Sequence, residues 1–142
     1  MTLRIVLALL LALLFSAPAA AKLKRFTSDG CSAFPDGTLA QQQLWLACCT
    51  AHDRAYWQGG SYRQRLEADL ALKSCVEQVG EPQIALLMLA GVRVGGSPLW
   101  PTPFRWGYGW PYPRPYGELS GEELAQILAM EQERQERQER RQ

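Results

Sequence analysis

The sequence has a single histidine, no basic excess and no apolar run long enough to cross a bilayer, and each shortage narrows what the chain can do. Lysine and arginine total 15 against 14 aspartates and glutamates. The difference is Arg4, in the opening segment, so the remainder has no net charge with which to attract nucleic acid or another polyanion. The one long apolar run, Ile5 to Phe15, falls short of the ~20 residues a membrane span needs. One basic residue precedes it, and the small residues Ala19 and Ala21 follow it. That pattern reads as a secretory signal peptide over residues 1–21, cut after Ala21, with a retained membrane anchor as the alternative. No cysteine follows the cut, so a lipid-anchored N-terminus is not expected. Only four cysteines occur, all beyond the cut. In an oxidising compartment they suit two disulfides stapling one small domain over residues 22–119. Cys48 and Cys49 point about 100° apart on a helix and are not expected to pair with each other; spacing leaves the other two pairings open.

What is present is concentrated in Cys48-Cys49-Thr50-Ala51-His52-Asp53-Arg54-Ala55-Tyr56. On a helix Cys48, His52 and Tyr56 form one stripe, and Cys49 and Asp53 form a second about 100° around the axis. An imidazole with a phenol beside it thus adjoins a carboxylate suited to a metal. Any imidazole chemistry rests on His52.

The surrounding elements follow from pattern. Residues 26–37 are dense in Gly, Pro, Asp and Ser and read as a loop, with Asp29 and Asp36 supplying hard oxygens of the kind calcium prefers. Thr38 reads as the cap of a helix over 39–57, with Leu44, Cys48, Ala51, His52 and Ala55 on one broad face and Gly59-Gly60 as the stop. A second helix is expected from about Ser61 to Val79. Asp69 falls on its apolar side, where an unpaired carboxylate would cost several kcal/mol, so it needs a partner, and His52 is the natural one. A third helix from Pro82 through Leu89, ending before Gly95-Gly96, is apolar nearly all round and reads as a buried packing helix. Residues 97–116 alternate Trp, Tyr and Phe with Pro and Gly, and read as an irregular segment that either completes the core or faces a lipid interface, with packing preferred. Residues 120–142 open on a capping box, Ser120 to Glu123, and continue as a polar helical or disordered tail. Beyond Met130 no apolar stripe exists to form a coiled coil.

Ser28-Asp29-Gly30-Cys31, Pro35-Asp36, Cys49 to Tyr56, and Asp69 six residues before Cys75 together resemble the secreted phospholipase A2 superfamily, most closely its small bacterial members. The resemblance implies a mainly α fold with two long, antiparallel, disulfide-linked helices and a calcium-binding loop, to which this chain adds the irregular aromatic segment. It implies disulfides Cys31–Cys49 and Cys48–Cys75, His52 as general base, Asp69 as its orienting partner and Tyr56 as a supporting hydrogen-bond donor. It further implies Ca2+ bound by Asp53 with Asp29 and Gly30, the animal-type alternative being Gly30, Ser32 and Phe34. The expected activity is calcium-dependent hydrolysis of phospholipid acyl esters at a membrane surface, by a secreted or periplasmic monomer without a transmembrane span once the signal is removed. The loop has less glycine than the animal enzymes, and the aromatic segment and polar tail have no counterpart role in the family.

Three rivals stand beside this reading. A cysteine–histidine nucleophilic pair is disfavoured where thiols oxidise. A structural zinc site drawn from Cys31, Cys48 or Cys49, His52 and Cys75 has suitable ligands but leaves Asp53 and Asp69 unexplained. A non-catalytic lipid- or protein-binding module would share the same scaffold.

Overall fold

Glycine pairs and capping serines divide the chain into helices. The computed structural model describes residues 21–142, and among these it contains four helices and no strand: α1 (Leu46–Gln58), α2 (Tyr62–Gln78), α3 (Pro82–Gly95) and α4 (Gly121–Glu139). The expected signal peptide, apart from Ala21, lies outside the described residues.

α1 begins at Leu46, not at Leu39. The Thr38 hydroxyl does accept from the Gln41 amide at 2.9 Å, but Thr38 N donates back to Gln41 O and Trp45 N reaches Asp36 O, which closes a turn instead of propagating a helix. Gly37 permits it: a Cβ there would lie 2.0 Å from Gln41 O. The buried face of α1 carries Cys48, Cys49, His52, Asp53, Tyr56 and Trp57, and the expected Ala51 and Ala55 lie off it, Ala51 exposed and Ala55 half-buried. Both cysteine stripes therefore face inward.

Gly59 and Gly60, with φ of 71° and 127°, turn the chain through conformations that side chains resist. Ser61 then caps α2 in a capping box with Gln64. Three cross-links fix α2 antiparallel to α1: the Cys48–Cys75 disulfide, the His52–Asp69 contact and the Arg65–Tyr56 hydrogen bond, whose residue numbers rise on one helix as they fall on the other. The second disulfide, Cys31–Cys49, ties the preceding loop to α1. No cysteine is free.

α3 packs along α2 and buries Ala85 and Met88, whereas Leu86, Leu87 and Val94 are 57%, 58% and 79% exposed. The expected fully buried helix is thus a one-sided one. It joins a core of Trp45, Cys48, Cys49, Leu72, Val76, Ala85 and Met88.

The aromatic segment divides. Its middle crosses the C-terminal end of α1 and satisfies carbonyls that a helix end leaves unpaired: Gly107 N donates to Tyr56 O at 2.6 Å, Gly109 N to Trp57 O at 3.2 Å and the Trp110 indole to Gln58 O at 2.7 Å. Gly109 must be glycine, since a Cβ would sit 2.6 Å from Trp57 O. Trp106 and Trp110 are buried, while Leu99, Trp100 and Tyr112 remain exposed. α4, capped by Ser120 and Glu123, is not a loose appendage. Its Ile127 joins Leu23, Trp57 and Trp110 in a second core cluster, and Glu131 pairs with Arg54 at 3.4 Å. Past Met130 the helix continues on Glu133–Arg137 and Glu136–Arg140 pairs.

Candidate active site

The antiparallel α1–α2 pair sets His52 against Asp69. Nε2 of the imidazole lies 3.0 Å from Asp69 Oδ1, and the same oxygen accepts a 2.6 Å hydrogen bond from the Tyr56 hydroxyl. Asp69 is fully buried and His52 nearly so. The Tyr56 ring lies against the imidazole, with centroids 4.1 Å apart, and burial holds its phenol above the usual tyrosine range. With Nε2 turned to the carboxylate, the proton belongs on Nε2 and the lone pair on Nδ1, which has no hydrogen-bond partner among the described residues.

Two arginines complete this network, and neither was identified from sequence. Arg65 Nε donates to the Tyr56 oxygen at 3.1 Å, its Nη1 to Tyr116 and its Nη2 to the last carbonyls of α3, Val92 O and Arg93 O, at 2.9 Å each. Arg93 places Nε 2.9 Å from Asp69 Oδ2, an ion pair without the alignment of a hydrogen bond. Arg65 had a signal, since it precedes Asp69 by four residues and so shares its helix face. Arg93 had none: its partner is reached only through the packing of α3 on α2.

On the neighbouring stripe, Asp53 is 8% exposed. Burial raises its carboxyl to about 6, opposed by the Ser28 hydroxyl, which donates to Oδ2 at 2.6 Å, and reinforced by the negative charge of Asp29. Asp29 lies on the disulfide-tethered loop, where its own side chain accepts from Ser32. Asp36 does not join Asp53; it accepts from Cys31 N at 2.9 Å and braces the turn at Gly30, where φ is 77° and a Cβ would collide with it at 2.3 Å. Among the described residues no group of three or more His, Cys, Asp or Glu side chains is assembled for a metal.

His52, Asp53 and Gly30 line a cavity of about 440 Å³. Its other walls are Phe34, Leu72, Leu87, Met88, Val92 and Phe104, with Gly91 and Gly95 of α3 leaving open space. A largely apolar chamber is thus lined in part by an imidazole whose Nδ1 is free to take a proton. Because all four cysteines are in disulfides, neither the cysteine nucleophile nor the cysteine-ligated zinc site is available to this chain. No family model, curated protein or solved structure matches the chain, and the site stands on its own geometry.

Proposed function

We propose that the protein is a calcium-dependent hydrolase of phospholipid acyl esters, of the phospholipase A2 type, working in a secreted or periplasmic setting. The observation that carries the reading is the buried His52–Asp69 pair, whose imidazole lines a largely apolar cavity. Such a chamber suits an acyl chain with its ester next to the base. His52 Nδ1 takes a proton from water as the water oxygen bonds to the ester carbon. Asp69 stabilises the imidazolium formed, and Tyr56 holds the carboxylate in place. The proton then passes to the departing alkoxide as its bond to the acyl carbon breaks, giving a fatty acid and a lysophospholipid with no acyl-enzyme.

The oxygen-only chemistry of Asp53, Asp29 and the Gly30 turn supports calcium in preference to a softer metal, and a buried carboxylate raised by its own desolvation is one that a cation would relieve. Calcium held by Asp53 with Asp29 and Gly30 would supply Lewis-acid polarisation of the ester carbonyl. The exposed apolar side chains Leu86, Leu87, Leu99, Trp100 and Phe104 support a membrane surface as the place of work, two of them also lining the cavity. Among the described residues no helix is long and apolar enough to cross a membrane.

The same exposed side chains favour a second reading, a lipid-binding module without turnover. Purified protein incubated with phosphatidylcholine vesicles separates the two. The hydrolase releases fatty acid with calcium, and chelator or His52→Ala stops it. Vesicle binding that survives His52→Ala with no fatty acid from the wild type sinks the hydrolase and leaves the binder.

A further inference from the structure

We propose that Arg93 is a positioning residue that decides which nitrogen of His52 is free to act as a base. Its consequence for turnover rests on the hydrolase reading, but its first test does not. Asp69 is fully enclosed, and both groups on its Oδ1, the imidazole Nε2–H and the Tyr56 hydroxyl, are neutral donors. The charge opposite the carboxylate is that of Arg93, 2.9 Å from Oδ2. Arg65 acts one step further away, through the Tyr56 oxygen. Since Nε of Arg93 approaches without hydrogen-bond alignment, its contribution is charge more than directed bonding.

A buried carboxylate stripped of its counter-charge relieves the desolvation penalty by taking up a proton. The carboxyl O–H so formed is a donor where the carboxylate was an acceptor. Lying 3.0 Å from Nε2, it donates there, and the imidazole, still neutral, gives up its proton at Nε2 and carries one at Nδ1. Solvent supplies the proton on Asp69 and exchanges the one on the ring. Nδ1 then has no lone pair to offer water. With Arg93 in place the order is reversed: carboxylate on Asp69, proton on Nε2, lone pair on Nδ1.

The arginine is well anchored for this task. It sits in the last turn of α3, its own carbonyl is held by Arg65, and its Nη2 donates to Leu66 O of α2 at 3.2 Å. Two helices, α3 and α2, therefore register the guanidinium on Asp69. The apolar helix contributes its one charged side chain to the enclosed carboxylate.

Because His52 is the only histidine, 15N NMR of the full chain in calcium-free buffer at a pH where imidazole is neutral reads its tautomer without assignment. The wild type is expected in the Nε2–H form. Arg93→Met and Arg93→Gln are expected to move the ring chiefly to Nδ1–H, and Arg93→Lys, which keeps the charge, to restore Nε2–H. Neutral variants that keep Nε2–H, or a wild type already in the Nδ1–H form, overturn the proposal. If Arg93→Met fails to fold, the Gln variant and the wild-type spectrum still decide. On phosphatidylcholine vesicles, kcat is expected to fall about 10²-fold in the Met and Gln variants with KM little changed, and to recover in the Lys variant. A shifted tautomer with unchanged kcat overturns the role of His52 as base. A wild type without turnover overturns the hydrolase reading alone.

Discussion

A leucine in place of Gly91 is expected to make the protein more stable and less active at once. Gly91 lies inside α3 and lines the cavity, and a Cβ built on it meets nothing within 4 Å. Replacing a helix-interior glycine with leucine removes a propensity penalty of about 0.8 kcal/mol, with no clash to offset it. For a domain of this size that is a rise in Tm of roughly 3–5 °C. The same isobutyl group extends into a chamber of about 440 Å³. If it displaces three methylenes of a bound acyl chain, at about 0.8 kcal/mol each, kcat/KM for a long-chain phospholipid falls roughly 60-fold. A short-chain substrate, which never reaches that part of the wall, is spared. Gly91→Ala should show the stabilisation with little of the activity loss. Thermal unfolding followed by circular dichroism, and fatty-acid release from long- and short-chain phosphatidylcholines, measure both signs. Unchanged long-chain turnover in a stabilised Gly91→Leu protein would falsify the assignment of this cavity to the acyl chain.

The Asp53 carboxyl is raised from an ordinary 3.8 to about 6, so the fold binds its proton more tightly than the unfolded chain does, and ionising it opposes folding. That contribution is present below about pH 4 and lost as the pH rises through about 6, roughly 3 kcal/mol in all. In calcium-free urea titrations Asp53→Asn should therefore flatten the fall and exceed the wild type at pH 7, whereas calcium should stabilise only the wild type. Removing the Cys48–Cys75 bridge by double alanine substitution opens a loop of 27 residues, which should lower the urea-derived stability by about 3.5 kcal/mol. Leu86→Ser with Trp100→Ser should cut co-sedimentation with phosphatidylcholine vesicles by about tenfold or more, with little dependence on added salt, because both exposed side chains are uncharged and the vesicle surface carries no net charge. A strong salt dependence would instead point to an electrostatic dock.

Asp69 was legible because a carboxylate among apolar helix positions demands a partner, and the only imidazole in the chain stood one helix away. The α1–α2 pair was legible for a related reason: Gly59-Gly60 and the Ser61 cap are local signals that tertiary packing did not override. The start of α1 was not. Trp45 N reaches back to Asp36 O and its indole to Pro35 O, and such returns from loop to helix leave no periodic trace. The apolar pattern of α3 was misread as burial on all sides because hydrophobicity alone does not say whether a neighbour exists to cover each face; Ala85 and Met88 found one, and Leu86 and Val94 did not. Arg93 was invisible for a deeper reason. Its ion pair joins the end of one helix to the middle of another, and only the packing of Ala85 and Met88 brings the two together.

The division of the aromatic segment has an optical consequence. Of the five tryptophans, Trp45, Trp57, Trp106 and Trp110 are at most 3% exposed, and Trp100 is 58% exposed. Four indoles are thus shielded from a dissolved quencher, three of them by the packing that closes the end of α1, while the fifth is open to solvent. Collisional quenching therefore reports chiefly on one chromophore, and under the proposed lipid contact vesicles should shield Trp100 from the quencher without any label.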